Sequence, residues 1–205
     1  DGGPLQTLTG SLFADATYEG DLYAAAGAKF RLGREGRDEF DEPHAGHIYL
    51  DWRNQQRFAG TGEGDRRLPA YTYRLCLATD PKNSVPVARP EDYDRSRYLG
   101  YLDDWKSGRF GGVSPTRIAL SIAPIPNRKT DVNMNPRGLG FVFVEENGGY
   151  VEGTWDEREA ICQRLRNLTL GLLWFLQHDE AVPSDARKLA LAHQLPRAEF
   201  ADNGH

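Results

Sequence analysis

The clearest pattern of apolar and polar positions lies near the end of the chain, over residues 155–177. Apolar side chains recur there at steps of three and four, which places them on one face of an α-helix; they are Ile161, Leu165, Leu168, Leu172, Phe175 and Leu176. Thr154 and Glu157 have the spacing of a capping box, the reciprocal hydrogen bonding that begins many helices. The pattern predicts a long helix over 155–177 and, after a Val-Pro pair, a second helix over 184–193.

The first 150 residues carry shorter patterns that are typical of β-strands. The run 69–79 is rich in aromatic and other β-favouring residues, and it is predicted to be a central strand. A helix near 91–105 interrupts the strands, because four apolar residues recur there at helical spacing. Further strands are predicted over 12–14, 28–33, 47–52, 118–125 and 140–144. A strand-rich front and a helical back predict a mixed α+β fold.

Residues 10–27 combine a short apolar run, an acidic turn and the start of a helix. The turn 15–21 holds carboxylates, a hydroxyl and a glycine, contributed by Asp15, Thr17, Glu19, Gly20 and Asp21. A strand that enters a helix through such a turn points backbone N–H groups at one place, where a ligand can bind. Two alternatives are acidic residues that only favour the helix dipole and paired carboxylates for acid–base hydrolysis.

A second polar segment follows the apolar run 118–125. It collects Asn127, Arg128, Lys129, Thr130, Asp131, Asn133 and Asn135. This mixture of donors with one carboxylate suits a polyoxygenated ligand or an anionic oxygen. From spacing alone, a surface loop that only connects two elements is the favoured interpretation. Arg74, on a predicted strand between Tyr73 and Leu75, is either solvated or held by a ligand or a charged partner.

Composition then limits the class of protein. The chain has 205 residues, of which 39% are hydrophobic, and its formal net charge is −5. These values are typical of a soluble globular protein and argue against nucleic-acid binding, which needs a basic surface. No apolar run approaches the roughly 18 residues that cross a bilayer. We therefore expect a soluble protein whose partner is a small-molecule substrate, with neither nucleic acid nor membrane as a partner.

Cysteine, histidine and the first residues change this picture little. Cys76 and Cys162 are too few for a disulfide scaffold, and we expect free, buried thiols. His44 and His47 have no third ligand at a suitable spacing, so no metal site is predicted. Residues 1–4 contain neither an initiator Met nor a signal-peptide pattern. We expect a fragment of a longer protein, and the sequence assigns neither its compartment nor its oligomeric state.

Several stretches along the chain occur in an order that matches one family. The first is Phe13-Ala-Asp-Ala-Thr-Tyr-Glu-Gly-Asp21 and its continuation to residue 27. The others are 33–35, 73–77, 90–93, 126–133, 171–176, 182–183 and 195–200. Together they resemble the FAD-dependent oxidoreductases often labelled xanthan-lyase-like, over nearly the whole chain. The order of the stretches carries this resemblance more than any one of them does.

The resemblance implies FAD as the cofactor and a division of the chain into three parts. Residues 1–27 would be a returning strand, turn and helix of an incomplete FAD-binding domain. Residues 28–152 would be a β-rich substrate lobe, and 153–205 a helical segment. The family's glycine-rich segment for the ADP part of FAD is missing here, so the isolated fragment is expected to be inactive. Tyr18 also stands where relatives often have glycine.

The resemblance further implies roles for individual side chains. The residues implied to lie beside the cofactor are Asp15, Thr17, Glu19 and Asp21. Asn127 and Asn133 would bind the substrate. Lys129 or Arg74 would stabilise negative charge on the flavin or on a substrate oxygen, and Asp131 would orient a hydroxyl or act as a base.

The implied reaction is hydride transfer to the flavin from an organic substrate, with carbohydrate-related compounds among the candidates. Two other classes of protein stay open. One is a non-catalytic carbohydrate- or ligand-binding module that uses aromatic residues of 47–105. The other is a glycoside hydrolase or lyase domain that uses pairs of Asp and Glu. A cleft shared by 15–21 and 127–133 would favour the flavin enzyme, and an aromatic platform elsewhere would favour the binding module.

Overall fold

The computed structural model describes residues 5–47, 50–51, 56–57, 60–136 and 140–203. The chain divides into two compact units, residues 1–32 and residues 33–205. The described part of the first unit contains one short helix, α1 (Asp21–Ala25). Most of its large apolar side chains are exposed. The run 12–14, predicted as a strand, forms no regular secondary structure.

The second unit combines helices with small antiparallel sheets, which confirms the mixed α+β class. Its helices are α2 (Arg37–Phe40), α3 (Leu99–Lys106), α4 (Pro115–Ala119), α5 (Trp155–His178) and α6 (Ser184–Leu191). Its strands are β1 (Leu50–Asp51), β2 (Gln56–Arg57), β3 (Leu75–Ala78), β4 (Ser84–Val85), β5 (Leu120–Ile125), β6 (Lys129–Met134) and β7 (Leu195–Pro196). Short 3-10 helices lie at Pro81–Asn83, Arg95–Tyr98 and Ala201–Asn203.

The central sheet has the antiparallel order β3-β6-β5, while β1 pairs with β2 and β4 pairs with β7. Along β6, Thr130, Val132 and Met134 are buried, and the alternate residues point to the opposite face. The prediction of a polar loop is therefore wrong, because residues 129–134 form the middle strand and only 126–128 form a turn. The alternation of buried and open positions is hard to recognise in the sequence, because one face of the strand is entirely polar and the buried face includes Thr130.

Three other strand predictions differ from the structure. The run 69–79 contributes only β3, at an edge of the sheet, because its partner β6 pairs with residues 75–78 alone. Residues 28–33 form no strand. Residues 140–144 enter the core through turns, with Phe143 fully buried, and a short apolar run does not distinguish these outcomes. The predicted strand 47–52 falls partly outside the described residues.

The helical half of the chain agrees with its pattern. Helix α5 begins at the predicted residue: Thr154 Oγ1 accepts a hydrogen bond from the Glu157 N–H, and Glu157 Oε2 accepts one from the Thr154 N–H at 2.7 Å. Its apolar face joins α3, α4, α6 and the buried face of the central sheet in one core. Within the described residues, α5 and the other helices all lack a stretch long and apolar enough to cross a membrane.

Candidate functional site

The face of the central sheet opposite the core carries several of the residues that the sequence singled out. This open face consists of Cys76 on β3 and of Lys129, Asp131 and Asn133 on β6, with Cys76 directly opposite Asp131. The guanidinium of Arg74, just before β3, donates to both oxygens of Asp131, with Nε to Oδ1 at 2.8 Å. The fold thus brings Arg74, Asp131 and Lys129 together across two strands.

The two predicted substrate-binding asparagines lie at opposite ends of β6. Asn127 is exposed in the turn before the strand, with φ of 62°. Asn133 is near the other end, where its Oδ1 accepts a hydrogen bond from the Thr72 hydroxyl at 3.3 Å. Strand geometry separates Lys129 from Asn133 by roughly 13 Å, and Asn127 precedes Lys129, so the two asparagines do not bind the same group of a ligand.

A residue that the sequence did not single out completes the open face. Glu199, in the C-terminal segment 195–203, forms an ion pair with Lys129, and its other oxygen lies 3.7 Å from Cys76 Sγ. The hydrogen bond from Lys129 lowers the pKa of Glu199, and the same bond raises the pKa of Lys129. The hydrogen bond from Arg74 lowers the pKa of Asp131. At neutral pH the open face therefore holds two ion pairs.

Burial sets the state of the thiol beside these ion pairs. It raises the pKa of Cys76, and the negative charge of Glu199 acts in the same direction. Cys76 is thus a neutral thiol at neutral pH. Cys76 and Cys162 are both free, as expected, but each is half-buried rather than fully buried.

A cavity of about 500 Å³ lies between residues 73–76, helix α5 and the C-terminal segment. Its α5 side is polar and is formed by Glu159, Gln163, Arg166 and Thr169. Its opposite side is largely apolar and includes Leu195, Pro196 and Phe200. Of the predicted site residues, Arg74 lines this cavity. The volume is within the usual range for a small-molecule site.

In the acidic turn of the first unit, the Asp15 carboxylate accepts the hydrogen bonds of nearby N–H and hydroxyl groups. Asp15 Oδ1 accepts from the Thr17 N–H and hydroxyl at 3.0 and 2.7 Å. Asp15 Oδ2 accepts from the N–H groups of Leu22 and Tyr23 at 2.9 and 3.2 Å. The N–H groups that the sequence assigned to a ligand are therefore bonded to Asp15, which caps α1.

The chemistry of this turn fits one part of FAD and not another. Glu19 is half-buried and Asp21 is exposed beside the capped helix start. Carboxylates can accept hydrogen bonds from hydroxyl groups, as on a ribose or ribityl chain, but repel a pyrophosphate. The Thr17 oxygen already accepts a hydrogen bond from the Gly20 N–H at 3.0 Å. The turn would therefore hold the hydroxyl-bearing part of the cofactor.

The Asp15 cap makes the turn sensitive to acid. Hydrogen bonds, foremost from the Thr17 N–H, lower the pKa of Asp15 below its ordinary 3.8. A lowered folded-state pKa stabilises the turn above pH 3.8, and this stabilisation is lost as the pH falls through the lowered value. We expect the NMR amide signals of Leu22 and Tyr23 to move with a midpoint below pH 3.8. Asp15→Asn should abolish this titration, and a midpoint near neutral pH would contradict the cap.

The feature expected of a ligand-binding module is an exposed platform of aromatic side chains within 47–105. Among the described aromatic residues of 47–105, Tyr98 and Tyr101 are buried in the core, and Tyr93 and Trp105 pack against it. Tyr73 is the more exposed exception, at 38%. The described aromatic residues of 47–105 thus form no such platform. The described residues also contain no group of three or more His, Cys, Asp or Glu side chains suited to a metal ion.

Comparison with known proteins identifies the family. A family model described as FAD dependent oxidoreductase matches residues 1–204, nearly the whole chain. No curated protein and no solved structure matches the chain. FAD is the cofactor of the matched family, and this confirms the cofactor that the resemblance implied. The chain belongs to the FAD dependent oxidoreductase family.

Proposed function

We propose that the open face and the adjoining cavity form the substrate side of a flavin enzyme of the xanthan-lyase-like subgroup. In this enzyme a hydride passes to FAD from an organic substrate, for which a carbohydrate-related compound is the favoured candidate. The observation that carries the proposal is the grouping of Lys129 with the Arg74–Asp131 pair beside a cavity of about 500 Å³. FAD, when bound, supplies the hydride acceptor.

Lys129 provides a permanent positive charge in this proposal. Its ion pair with Glu199 raises its pKa, so the ammonium stays protonated at neutral pH. A fixed cation stabilises negative charge that develops on a nearby oxygen or ring. Lys129 is only 18% exposed, which weakens the competition of water for this charge.

Asp131 orients a substrate hydroxyl in this proposal and does not remove a proton. Arg74 lowers the pKa of Asp131, and a carboxylate with a lowered pKa is a poor general base. Arg74 holds both carboxylate oxygens and thereby fixes their direction. Asn127 and Asn133 bind polar groups at the two ends of β6, each for a different part of the substrate.

Retention of FAD tests the proposal. The full-length gene product should be yellow when purified and should release FAD on denaturation. Glu19→Ala should weaken FAD binding about tenfold, because a carboxylate that bonds a cofactor hydroxyl is lost. Glu91→Ala, an exposed glutamate of the second unit, is the control and should leave FAD affinity unchanged. A colourless protein that neither retains nor takes up FAD would end the flavin proposal.

A further inference from the structure

We infer that the cavity between β3, α5 and the C-terminal segment binds a cyclic polyol such as a sugar ring. The ring would place hydroxyl groups toward α5 and a C–H face toward Phe200. The inference rests on the proposed function only in naming this ligand as the substrate. The cavity itself is a feature of the second unit alone.

The α5 side of the cavity offers both kinds of hydrogen-bonding group in one row. Glu159, Gln163, Arg166 and Thr169 follow each other at steps of four and three, so they share one helix face. Glu159 accepts and Arg166 donates. Gln163 Nε2 donates to Asn167 Oδ1 at 2.9 Å, and its carbonyl oxygen and second N–H remain for a ligand. The Thr169 hydroxyl, on a residue only 1% exposed, donates to the Leu165 carbonyl at 2.8 Å, which leaves its oxygen as an acceptor. A row of alternating donors and acceptors matches adjacent hydroxyl groups, each of which does both.

The opposite side offers an apolar surface. Leu195 and Pro196 are buried, and Phe200 is 47% exposed. Phe200 has a φ of 61°, in the left-handed region that aromatic residues seldom adopt. Such backbone strain is found preferentially at ligand sites. The neighbouring Glu199–Lys129 ion pair ties this part of the segment to β6.

Other classes of ligand match the lining less well. A purely apolar ligand would remove water from the Glu159 carboxylate without offering it a hydrogen-bond donor, which is costly. A phosphate would meet the carboxylate of Glu159 as well as the guanidinium of Arg166, while Arg74 is already paired with Asp131. A ring with an apolar face and a hydroxylated edge satisfies both sides of the cavity.

The two cysteines allow a direct test. Cys76 lines the cavity and Cys162 does not, while both are free and half-buried. The thiols are labelled with N-ethylmaleimide, and the rate at each is followed by peptide mass spectrometry. The probes are D-glucose, D-mannose, D-xylose, D-glucuronate and myo-inositol, with cyclohexanol and inorganic phosphate for comparison. At least one polyol should slow labelling of Cys76 severalfold and saturably, without changing Cys162, and should exceed both comparison compounds.

Variants distinguish binding in the cavity from a general effect on the protein. Phe200→Ala and Gln163→Ala should each weaken the polyol affinity, as measured from the protection of Cys76, about tenfold. Gln163 is exposed on α5, so its replacement leaves the core intact. Phe40→Ala, at a side chain 65% exposed and outside the cavity lining, should change nothing. Absence of protection by every polyol, or equal protection by cyclohexanol or phosphate, would overturn the inference.

This test also separates the inference from the proposed function, because thiol protection does not require flavin. Polyol protection in a protein that never takes up FAD would overturn the flavin proposal and support the cavity assignment. Retention of FAD without polyol protection would support the flavin proposal and overturn the cavity assignment.

Discussion

Replacing Gly171 with alanine is expected to destabilise the protein by about 2 kcal/mol, although alanine is the better helix former. In the middle of an exposed helix the same change would add about 1 kcal/mol of stability. Here a Cβ atom on residue 171 would lie 2.2 Å from the Tyr98 hydroxyl oxygen. The Tyr98 ring cannot retreat, because it is 2% exposed and stacks on Phe175 and Tyr93. The sign of the change therefore tests the packing of the core.

Urea unfolding measures the change in the free energy of unfolding, provided that its slope with urea concentration stays constant. Two further variants serve as controls. Tyr98→Phe removes the clashing oxygen, and the nearest ring atom would then lie 3.0 Å from the new Cβ. The double variant should recover at least half of the lost stability. Gly148→Ala meets only the Glu145 carbonyl, at 3.5 Å, and should be nearly neutral. A Gly171→Ala protein more stable than the parent would show that the Tyr98 hydroxyl does not occupy this place.

The parts of the fold that sequence reasoning predicted are those with a long local signal. Helix α5 spans 24 residues, so its apolar face repeats many times and its capping box marks the first turn. Helix α6 begins at its predicted residue, after Pro183. These signals need no information about distant residues, because helix hydrogen bonds and caps are local.

Strands depend on partners that a single sequence does not name. The sequence predicts a loop over 129–134 because lysine, aspartate and asparagine dominate one face of β6. Their strand conformation comes from pairing with β3, about fifty residues earlier, and with β5. The opposite error occurred at 140–144, where apolar residues reach the core through turns. In both places tertiary contacts overrode the local preference.

The candidate site shows the same division. The residue types and the family resemblance indicate Arg74, Lys129 and Asp131, and the fold places them together. Neither signal indicates Glu199, because its carboxylate reaches Lys129 from 70 residues away. The cavity likewise needs α5 and the C-terminal segment to face β3. A charged residue inside a family motif, as Glu199 is, was the one signal that could have pointed to it.

Replacing Lys129 with methionine in the flavin-loaded protein is expected to slow reduction of FAD by its substrate about 100-fold. The same change should lower the midpoint potential of bound FAD by about 30 mV or more, equivalent to about 1.4 kcal/mol. The reason follows from the proposed site: reduction adds negative charge, and an ammonium beside the flavin would stabilise the reduced form. Equilibration with a reference dye measures the potential without any knowledge of the substrate. Lys82→Met, at an exposed lysine, should leave the potential unchanged.

A charge exchange separates this electrostatic role from the part that Lys129 plays in holding the C-terminal segment. Lys129→Glu combined with Glu199→Lys re-forms the ion pair with its charges reversed, so urea unfolding should return toward that of the parent. The positive charge, however, now lies on residue 199 rather than on β6. If Lys129 acts on the flavin, the potential of the exchanged variant stays low although its stability recovers. If Lys129 only anchors the segment, stability and potential recover together, and Lys129 has no place in the site.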